Sequence, residues 1–206
     1  KMKTIFVLTL LLFLSACASK APMQGGALLN DKEAVLELIN VGIPDICSYS
    51  GRVTVRYDDP YNNLASSALL QKRCEGGMAV KMLGPFGIVL AELTVDNGSY
   101  SAFQGEKDVT ESVVINGEDI ILMNRYLKLP PPTPDSTYLM VVDNRRYIFV
   151  KGNQNIYVDT NFRTAALVTP DHQVSYIWDG DRLQTLLFNR QATSLSVEFI
   201  DPWVAN

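Results

Sequence analysis

The stretch Arg52-Val53-Thr54-Val55-Arg56-Tyr57 places apolar residues at its odd positions and polar residues at its even positions. A period of two is typical of a β-strand with one buried face and one solvated face. Residues 58–63, Asp-Asp-Pro-Tyr-Asn-Asn, favour a turn, and a second strand is predicted over 66–73. The fold is therefore expected to begin with an antiparallel hairpin.

The same rhythm continues along most of the chain. Gly76-Gly77, Gly84-Pro85-Phe86-Gly87 and Asp96-Asn97-Gly98 interrupt apolar runs and predict tight turns. Further strands are predicted over 78–83, 88–95, 99–103, 138–142, 147–150, 156–159, 165–168, 174–178, 183–188 and 195–200. Short strands joined by consecutive turns indicate an antiparallel meander.

Two segments favour helices. Residues 33–40 follow Asn30 or Asp31 as an N-cap and repeat apolar residues at near-helical spacing. Residues 119–127 form the second predicted helix, which the prolines after Leu129 would end. A strand over 113–123 remains an alternative for that region. The predicted fold class is mainly β (α+β).

The N-terminal residues indicate export and lipidation. Lys1 and Lys3 precede an apolar run over 5–14, and Leu14-Ser15-Ala16-Cys17 follows. This pattern is typical of a secretory signal, and the run is too short to span a bilayer, which needs about 20 apolar residues. The tetrapeptide resembles the lipobox of bacterial lipoproteins. The resemblance implies cleavage before Cys17 and its acylation with palmitate-type chains; the alternative is an ordinary signal peptide that happens to contain a Cys.

We therefore expect three regions: a signal peptide over 1–16, a lipidated Cys17 with a flexible tether over 17–29, and a single domain over 30–206. Ala18 follows the lipidated residue. In lipoproteins of the enterobacterial type, Asp at that position retains the protein in the inner membrane. By that resemblance Ala18 favours the outer membrane, with the domain facing the periplasm.

Composition and motifs argue for a binding protein rather than an enzyme. The net charge of -4 gives no basic footprint for nucleic acid. The single His172 is interpreted as a solvated turn residue rather than a catalytic base. Asp58-Asp59 and Asp179-Gly180-Asp181 are interpreted as turn residues rather than calcium ligands, and no metal or other cofactor is predicted. Glu92 and Asp119 are carboxylates without an identifiable partner.

Several stretches resemble the LolA/LolB group of lipoprotein carriers, and LolB-type lipoproteins in particular. Residues 51–55 are similar to that family's first strand, and residues 83–93, with Gly84-Pro85-Phe86-Gly87, are similar to its Asn-Pro-Leu-Gly hairpin. Residues 126–130 resemble the end of a lid helix, and Ile200-Asp201-Pro202-Trp203-Val204 resembles the closing segment. The chain departs from the pattern in its proline-rich run at 130–134 and in two additional cysteines.

The resemblance implies a curved antiparallel sheet, an incomplete β-barrel, with helices as a lid over an apolar inner face. It implies a monomeric outer-membrane lipoprotein that binds acyl chains or lipoproteins, receives them from a periplasmic LolA-like carrier, and helps insert them into the membrane. The candidate cargo-binding residues are Val53, Val55, Leu70, Val80, Val89, Ala91, Leu93, Ile120, Met123 and Leu127. The alternative is a solid core, because any antiparallel sheet carries an apolar stripe.

Phe86 is expected at the tip of its turn, where side chains are usually exposed. By the family resemblance it would enter the membrane surface or contact an incoming lipoprotein. The alternative is that Phe86 folds back and caps the open end of the barrel.

Cys47 and Cys74 are expected to form a disulfide. Export leads to an oxidising compartment, and these two cysteines remain after lipidation of Cys17. A symmetric hairpin about the 58–63 turn pairs Val53 with Ala68, Gly51 with Leu70, and Cys47 with Cys74. The alternative is two buried thiols.

Two other functions remain open. One is a structural or accessory envelope lipoprotein that acts through protein contacts without lipid cargo. The other is a hydrolase or carbohydrate-active domain, against which the lack of nucleophile, base and metal motifs argues.

Overall fold

The computed structural model describes residues 31–42, 48–74, 76–129, 131–141 and 146–201. The predicted signal peptide, the tether and Cys17 lie outside these residues, as do Cys47 and most of the closing segment. Neither helix in the described part combines the length and the apolar character needed to cross a membrane.

The described chain forms two helices and thirteen strands. The helices are α1 (Lys32–Gly42) and α2 (Gly117–Tyr126). The strands are β1 (Tyr49–Asp58), β2 (Asn63–Lys72), β3 (Met78–Leu83), β4 (Val89–Asp96), β5 (Ser99–Gln104), β6 (Lys107–Asp108), β7 (Thr137–Val141), β8 (Arg146–Lys151), β9 (Gln154–Val158), β10 (Thr164–Val168), β11 (Gln173–Asp179), β12 (Arg182–Arg190) and β13 (Thr193–Phe199).

All thirteen strands belong to one antiparallel sheet with the order 6-5-4-3-2-1-13-12-11-10-9-8-7. Two consecutive meanders therefore meet where β1 pairs with β13, for example at Val55 and Val197. The sheet is not closed, because β6 and β7 remain at its edges. The predicted incomplete barrel is confirmed, and β6 is an addition that the sequence did not indicate.

The first hairpin has the predicted register, since Val53 lies opposite Ala68 and Gly51 lies opposite Leu70. On β1, Val53, Val55 and Tyr57 are buried, as the period of two predicted. We call the side of the sheet to which they point the inner face.

The core lies between the inner face and the two helices, and its buried side chains run from Val35 to Phe199. Residues 18–206 therefore contain the whole of this core. Asp31 caps α1, because its Oδ1 accepts a hydrogen bond from the Glu33 backbone N–H at 3.1 Å. The alternative of a strand over 113–123 is wrong. Asn116 caps α2 instead, with its Oδ1 2.9 Å from the Glu118 N.

Candidate functional site

The inner face differs between the two halves of the sheet, because aromatic rings pack together in one half and a pocket lies in the other. In the half formed by β7–β9, the rings of Tyr138, Tyr147, Phe149 and Phe162 pack with centroids 5.3–6.1 Å apart. The start of α1 lies beside this half, where the Lys32 ammonium donates to the Pro134 carbonyl. Aromatic packing therefore contributes to the interior of this half.

The other half holds a pocket of about 250 Å³ between the inner face of the first meander and the segment 109–123. This is slightly below the roughly 300–1,000 Å³ of typical small-molecule sites. Apart from Glu92 and Ser112, every lining side chain is apolar. The lining consists of Val55, Leu64, Val80, Met82, Ala91, Glu92, Leu93, Ala102, Val109, Ser112, Val113, Val114, Ile115, Ile120, Met123 and Leu195.

Six of the ten candidate cargo-binding residues line this pocket, namely Val55, Val80, Ala91, Leu93, Ile120 and Met123. Three others, Val53, Leu70 and Leu127, are fully buried in the core and are not among its lining.

Val89 is the exception among the candidates, since nearly half of it is exposed. A β-bulge shifts the register, so that Met82 lies opposite Ala91 but Leu83 lies opposite Val89. Leu90 is the extra residue of this bulge. The alternation of side chains between the inner and outer faces of β4 therefore shifts by one residue there. Val89 does not belong to the pocket for this reason.

The rim of the pocket lies at one end of the sheet. Leu64 and Val114 line the pocket and are still 44% and 47% exposed. Leu64 follows the turn between β1 and β2, and Met82 and Ala91 lie just before and after the turn between β3 and β4. The pocket therefore reaches the surface beside these two neighbouring turns.

Phe86 is fully exposed at the tip of the second turn, with a relative exposure of 102%. The alternative in which it caps the barrel is therefore wrong. Its backbone has φ 61° and ψ 18°, the left-handed region, where turns normally use Gly or Asn. The exposed side chains of Ile88 and Leu90 follow it.

The left-handed conformation costs an L-residue roughly 1–2 kcal/mol, and an exposed ring contributes no packing in return. Stability therefore does not explain a Phe at position 86. Strained positions of this kind cluster at functional sites.

Helix α2 covers the pocket, and its first turn is anchored by charge. Arg190 Nη1 lies 2.8 Å from Glu118 Oε2 and 3.2 Å from Asp119 Oδ1. The hydrogen bonds that Arg190 donates to Glu118 and then to Asp119 raise the pKa of its guanidinium. Asp119 is buried, so this contact compensates a carboxylate that would otherwise be costly to bury. The interpretation of Asp119 as unpartnered is wrong, and so is that of Glu92, whose carboxylate lies 3.6 Å from Lys81 Nζ.

The last turn of α2 is anchored by hydrogen bonds. Asn124 Nδ2 donates to the Gly76 carbonyl at 2.7 Å. Tyr126 Oη is hydrogen-bonded to His172 Nε2 at 2.7 Å, and Tyr176 Oη donates to the Tyr126 carbonyl at 2.9 Å. Burial raises the pKa of both tyrosines, so they remain neutral donors or acceptors.

His172 is thus not the solvated turn residue that was expected, although it does lie in a turn. Its side chain is only 7% exposed. Thr169 Oγ1 lies 2.9 Å from His172 Nδ1, so both ring nitrogens have partners. The sequence around His172 gave no signal of Tyr126, which is distant along the chain.

Cys74 is disulfide-bonded in the structure. Cys47 lies outside the described residues, so its pairing with Cys74 stays a prediction. The last described pair of the hairpin is Tyr49 and Lys72, and Cys74 follows Lys72 by two residues.

Comparison with known proteins supports the fold. No family model matches the chain, and no curated protein matches it. A putative outer membrane lipoprotein-sorting protein domain from Vibrio parahaemolyticus is similar in structure, with a TM-score of 0.52 and 10% identity over 84% of this chain and 92% of that one. A LolA superfamily protein from Nitrosomonas europaea gives 0.48 and 10% identity over 82% and 91%.

At such identities only the fold follows. The chain has an open antiparallel sheet with helices against its inner face, and its fold is similar to that of the lipoprotein-sorting domain. The expected resemblance to the LolA/LolB group is therefore confirmed as a resemblance of fold.

Proposed function

From the LolA/LolB-like fold and the apolar pocket, we propose that this protein is an envelope lipoprotein that carries acyl chains. Cys17 would hold it to the periplasmic face of the outer membrane. The pocket would receive acyl chains of lipoproteins from a LolA-like carrier, and the hairpin of Phe86 would direct them into the membrane. The protein would act by binding and release, without catalysis.

The observation that carries this proposal is the pocket itself. It is enclosed between a sheet and an anchored helix, and its side chains are almost entirely apolar. A hydrocarbon chain gains about 0.8 kcal/mol for each methylene that leaves water, whereas a polar ligand would lose hydrogen bonds there. Five buried methylenes would contribute about 4 kcal/mol, enough for a transient but useful affinity.

Native mass spectrometry of residues 18–206 tests the proposal. Fatty acid or lipoprotein copurifying with the protein is the expected result. Ala91→Phe should fill the pocket and remove the bound mass. The matched control is Ala65→Phe, because Ala65 is exposed on β2 and does not line the pocket.

Two results would count against acyl binding. One is a protein that takes up no fatty acid even when palmitate is added. The other is equal uptake by the Ala91→Phe and Ala65→Phe variants, which would place the ligand elsewhere. A protein without lipid cargo would favour the accessory envelope lipoprotein that acts through protein contacts.

The anchor is tested separately. Cys17→Ala should give a periplasmic protein, or an uncleaved precursor, with an unchanged fold, because the core lies entirely within the described domain. If the cleaved variant still fractionates with membranes after a high-salt wash, anchoring through Cys17 is wrong.

A further inference from the structure

A second aromatic side chain stands at the end of the sheet that carries Phe86. Tyr61 is 92% exposed in the turn between β1 and β2. Strands β2 and β3 are neighbours with Ser67 opposite Leu83, so this turn and the turn of Phe86 lie at the same end. Strands are about 4.8 Å apart, which separates the two turns laterally by roughly 10 Å.

The turn presents Tyr61 rigidly. Asp59 Oδ1 accepts hydrogen bonds from the backbone N–H groups of Tyr61 and Asn62, both at 2.7 Å. The first of these bonds is the main cause that lowers the pKa of Asp59. Pro60 further restricts the backbone before Tyr61. A turn backbone held in this way loses little conformational freedom on contact with a partner.

The charges of the two turns favour one kind of partner. Residues 84–90 carry no ionisable side chain, and residues 58–64 carry Asp58 and Asp59 but no Lys or Arg. Asp58 and Asp59 would repel a negatively charged surface, and neither turn carries a basic group that could bind phosphate by charge. Exposed aromatic and aliphatic side chains instead suit the boundary between lipid headgroups and hydrocarbon, where Tyr is enriched.

We propose that Tyr61 and Phe86 form a two-point contact with an uncharged, zwitterionic lipid surface. This inference rests on the proposed function, which assigns membrane contact to Phe86 alone. The contact would direct the exposed pocket rim at Leu64 and Val114 toward the bilayer. Acyl chains leaving the pocket would then travel a short path into lipid.

The test is flotation of residues 18–206 with phosphatidylcholine vesicles at low and high salt. Wild type should bind equally at both. Tyr61→Ser should reduce the bound fraction roughly three- to tenfold, because part of an aromatic ring no longer leaves water. Ile177→Ser is the matched control, since Ile177 is a half-exposed apolar residue of β11, and it should bind as wild type does.

Two further measurements locate the contact. In the Tyr61→Trp variant, brominated phosphatidylcholine should quench the tryptophan fluorescence more strongly than it does in wild type, which has only the native tryptophans. Adding phosphatidylglycerol to the vesicles should weaken binding at low salt, and Asp58→Asn should reduce that effect. Thermal melts confirm that each variant remains folded.

The outcomes separate this inference from the proposed function. If Phe86→Ser loses binding while Tyr61→Ser binds as wild type does, the two-point contact is wrong and Phe86 acts alone. The proposed contact with a zwitterionic lipid surface is wrong if wild type does not bind phosphatidylcholine vesicles but binds an acceptor protein that carries no lipoprotein. It is also wrong if wild type binds only anionic vesicles. Acyl binding in the pocket is read independently by native mass spectrometry.

Discussion

Tyr126, the last residue of α2, and His172, in the turn between β10 and β11, are joined by a hydrogen bond of 2.7 Å between Oη and Nε2. The rings lie 5.2 Å apart, and His172 also packs against Phe188 at 5.6 Å. The lid helix over the first meander is thus attached to the second meander. Opening the lid requires this contact to break.

Tyr126→Phe should loosen the lid. The variant leaves His172 without its Nε2 partner in a mostly buried site, which we expect to lower the free energy of unfolding by about 1 kcal/mol. Hydrogen exchange should quicken at the amides of α2 more than elsewhere. Urea unfolding and hydrogen exchange measure the two effects.

Tyr157→Phe is the control for that variant, because Tyr157 is a half-buried tyrosine whose hydroxyl has no hydrogen bond in the described part of the chain. It should change neither quantity. Equal effects from the two variants would show that loss of any tyrosine hydroxyl, and not the bond to His172, is responsible.

Phe86→Asn should separate stability from transfer. Asn tolerates the left-handed backbone at position 86, so the variant should be as stable as wild type or up to about 1 kcal/mol more stable. Phe86→Glu should cost less than about 0.5 kcal/mol. Both should abolish delivery of lipoprotein to vesicles. Delivery that persists in both variants, while the half-exposed control Leu139→Asn behaves as wild type does, would contradict a role for Phe86.

Gly117→Ala should destabilise the protein although Ala favours helices. A Cβ at Gly117, the first residue of α2, would collide with the ring of Tyr100 on β5. Overpacking of this kind costs about 1–3 kcal/mol. That exceeds the roughly 0.5–1 kcal/mol by which Ala stabilises a helix relative to Gly. Thermal unfolding shows whether Gly117→Ala raises or lowers the stability. Adding Tyr100→Leu should restore part of the lost stability, because the ring that collides with the Cβ is removed. If Gly117→Ala alone were more stable than wild type, the Tyr100 ring would have to move aside without cost, and the prediction would be wrong.

The predicted Cys47–Cys74 bond is tested by counting thiols. Cys17→Ala protein should show no reactive thiol under denaturing, non-reducing conditions, and Cys47→Ser added to it should expose one. The crosslink should stabilise the fold by roughly 3 kcal/mol in the chain-entropy model. Two reactive thiols in the Cys17→Ala protein would refute the pairing.

The protein should lose stability in acid below about pH 4. Hydrogen bonds from Thr133 and then Lys151 lower the pKa of Asp135 from 3.8 to about 2. Arg52 similarly lowers the pKa of Asp201. Because the unfolded carboxyls bind protons first, their stabilisation is present above pH 4 and disappears as the pH falls toward 2. In urea titrations, Asp135→Asn should be less stable than wild type at pH 6, and the difference should close near pH 2.

Local patterns in the sequence predicted most of the sheet. Turn residues such as Asn97-Gly98 fix where strands end, and both have the positive φ that such turns require. The period of two then assigns each side chain to a face. Val89 was misplaced because a single inserted residue, Leu90, changes that assignment, and no residue type announces a bulge.

Contacts between distant segments could not be predicted in the same way. Asp119 and Arg190, or Tyr126 and His172, meet only because the lid lies across both meanders. Whether an apolar stripe encloses space depends on how far the opposing element stands from it. That distance follows from packing as a whole, so the position of the pocket was not predictable.

The sheet order places the first strand beside the last. Every other pairing in the described sheet joins strands that follow each other in the chain, so both meanders can form from local hairpins as the polypeptide emerges. The pairing of β1 with β13 must wait for synthesis of almost the whole domain. Until then β1 offers an unpaired edge with buried-type side chains, a hazard for aggregation. Protection from aggregation is therefore most needed at the start of the domain, and slow joining of the two halves should limit the rate of folding.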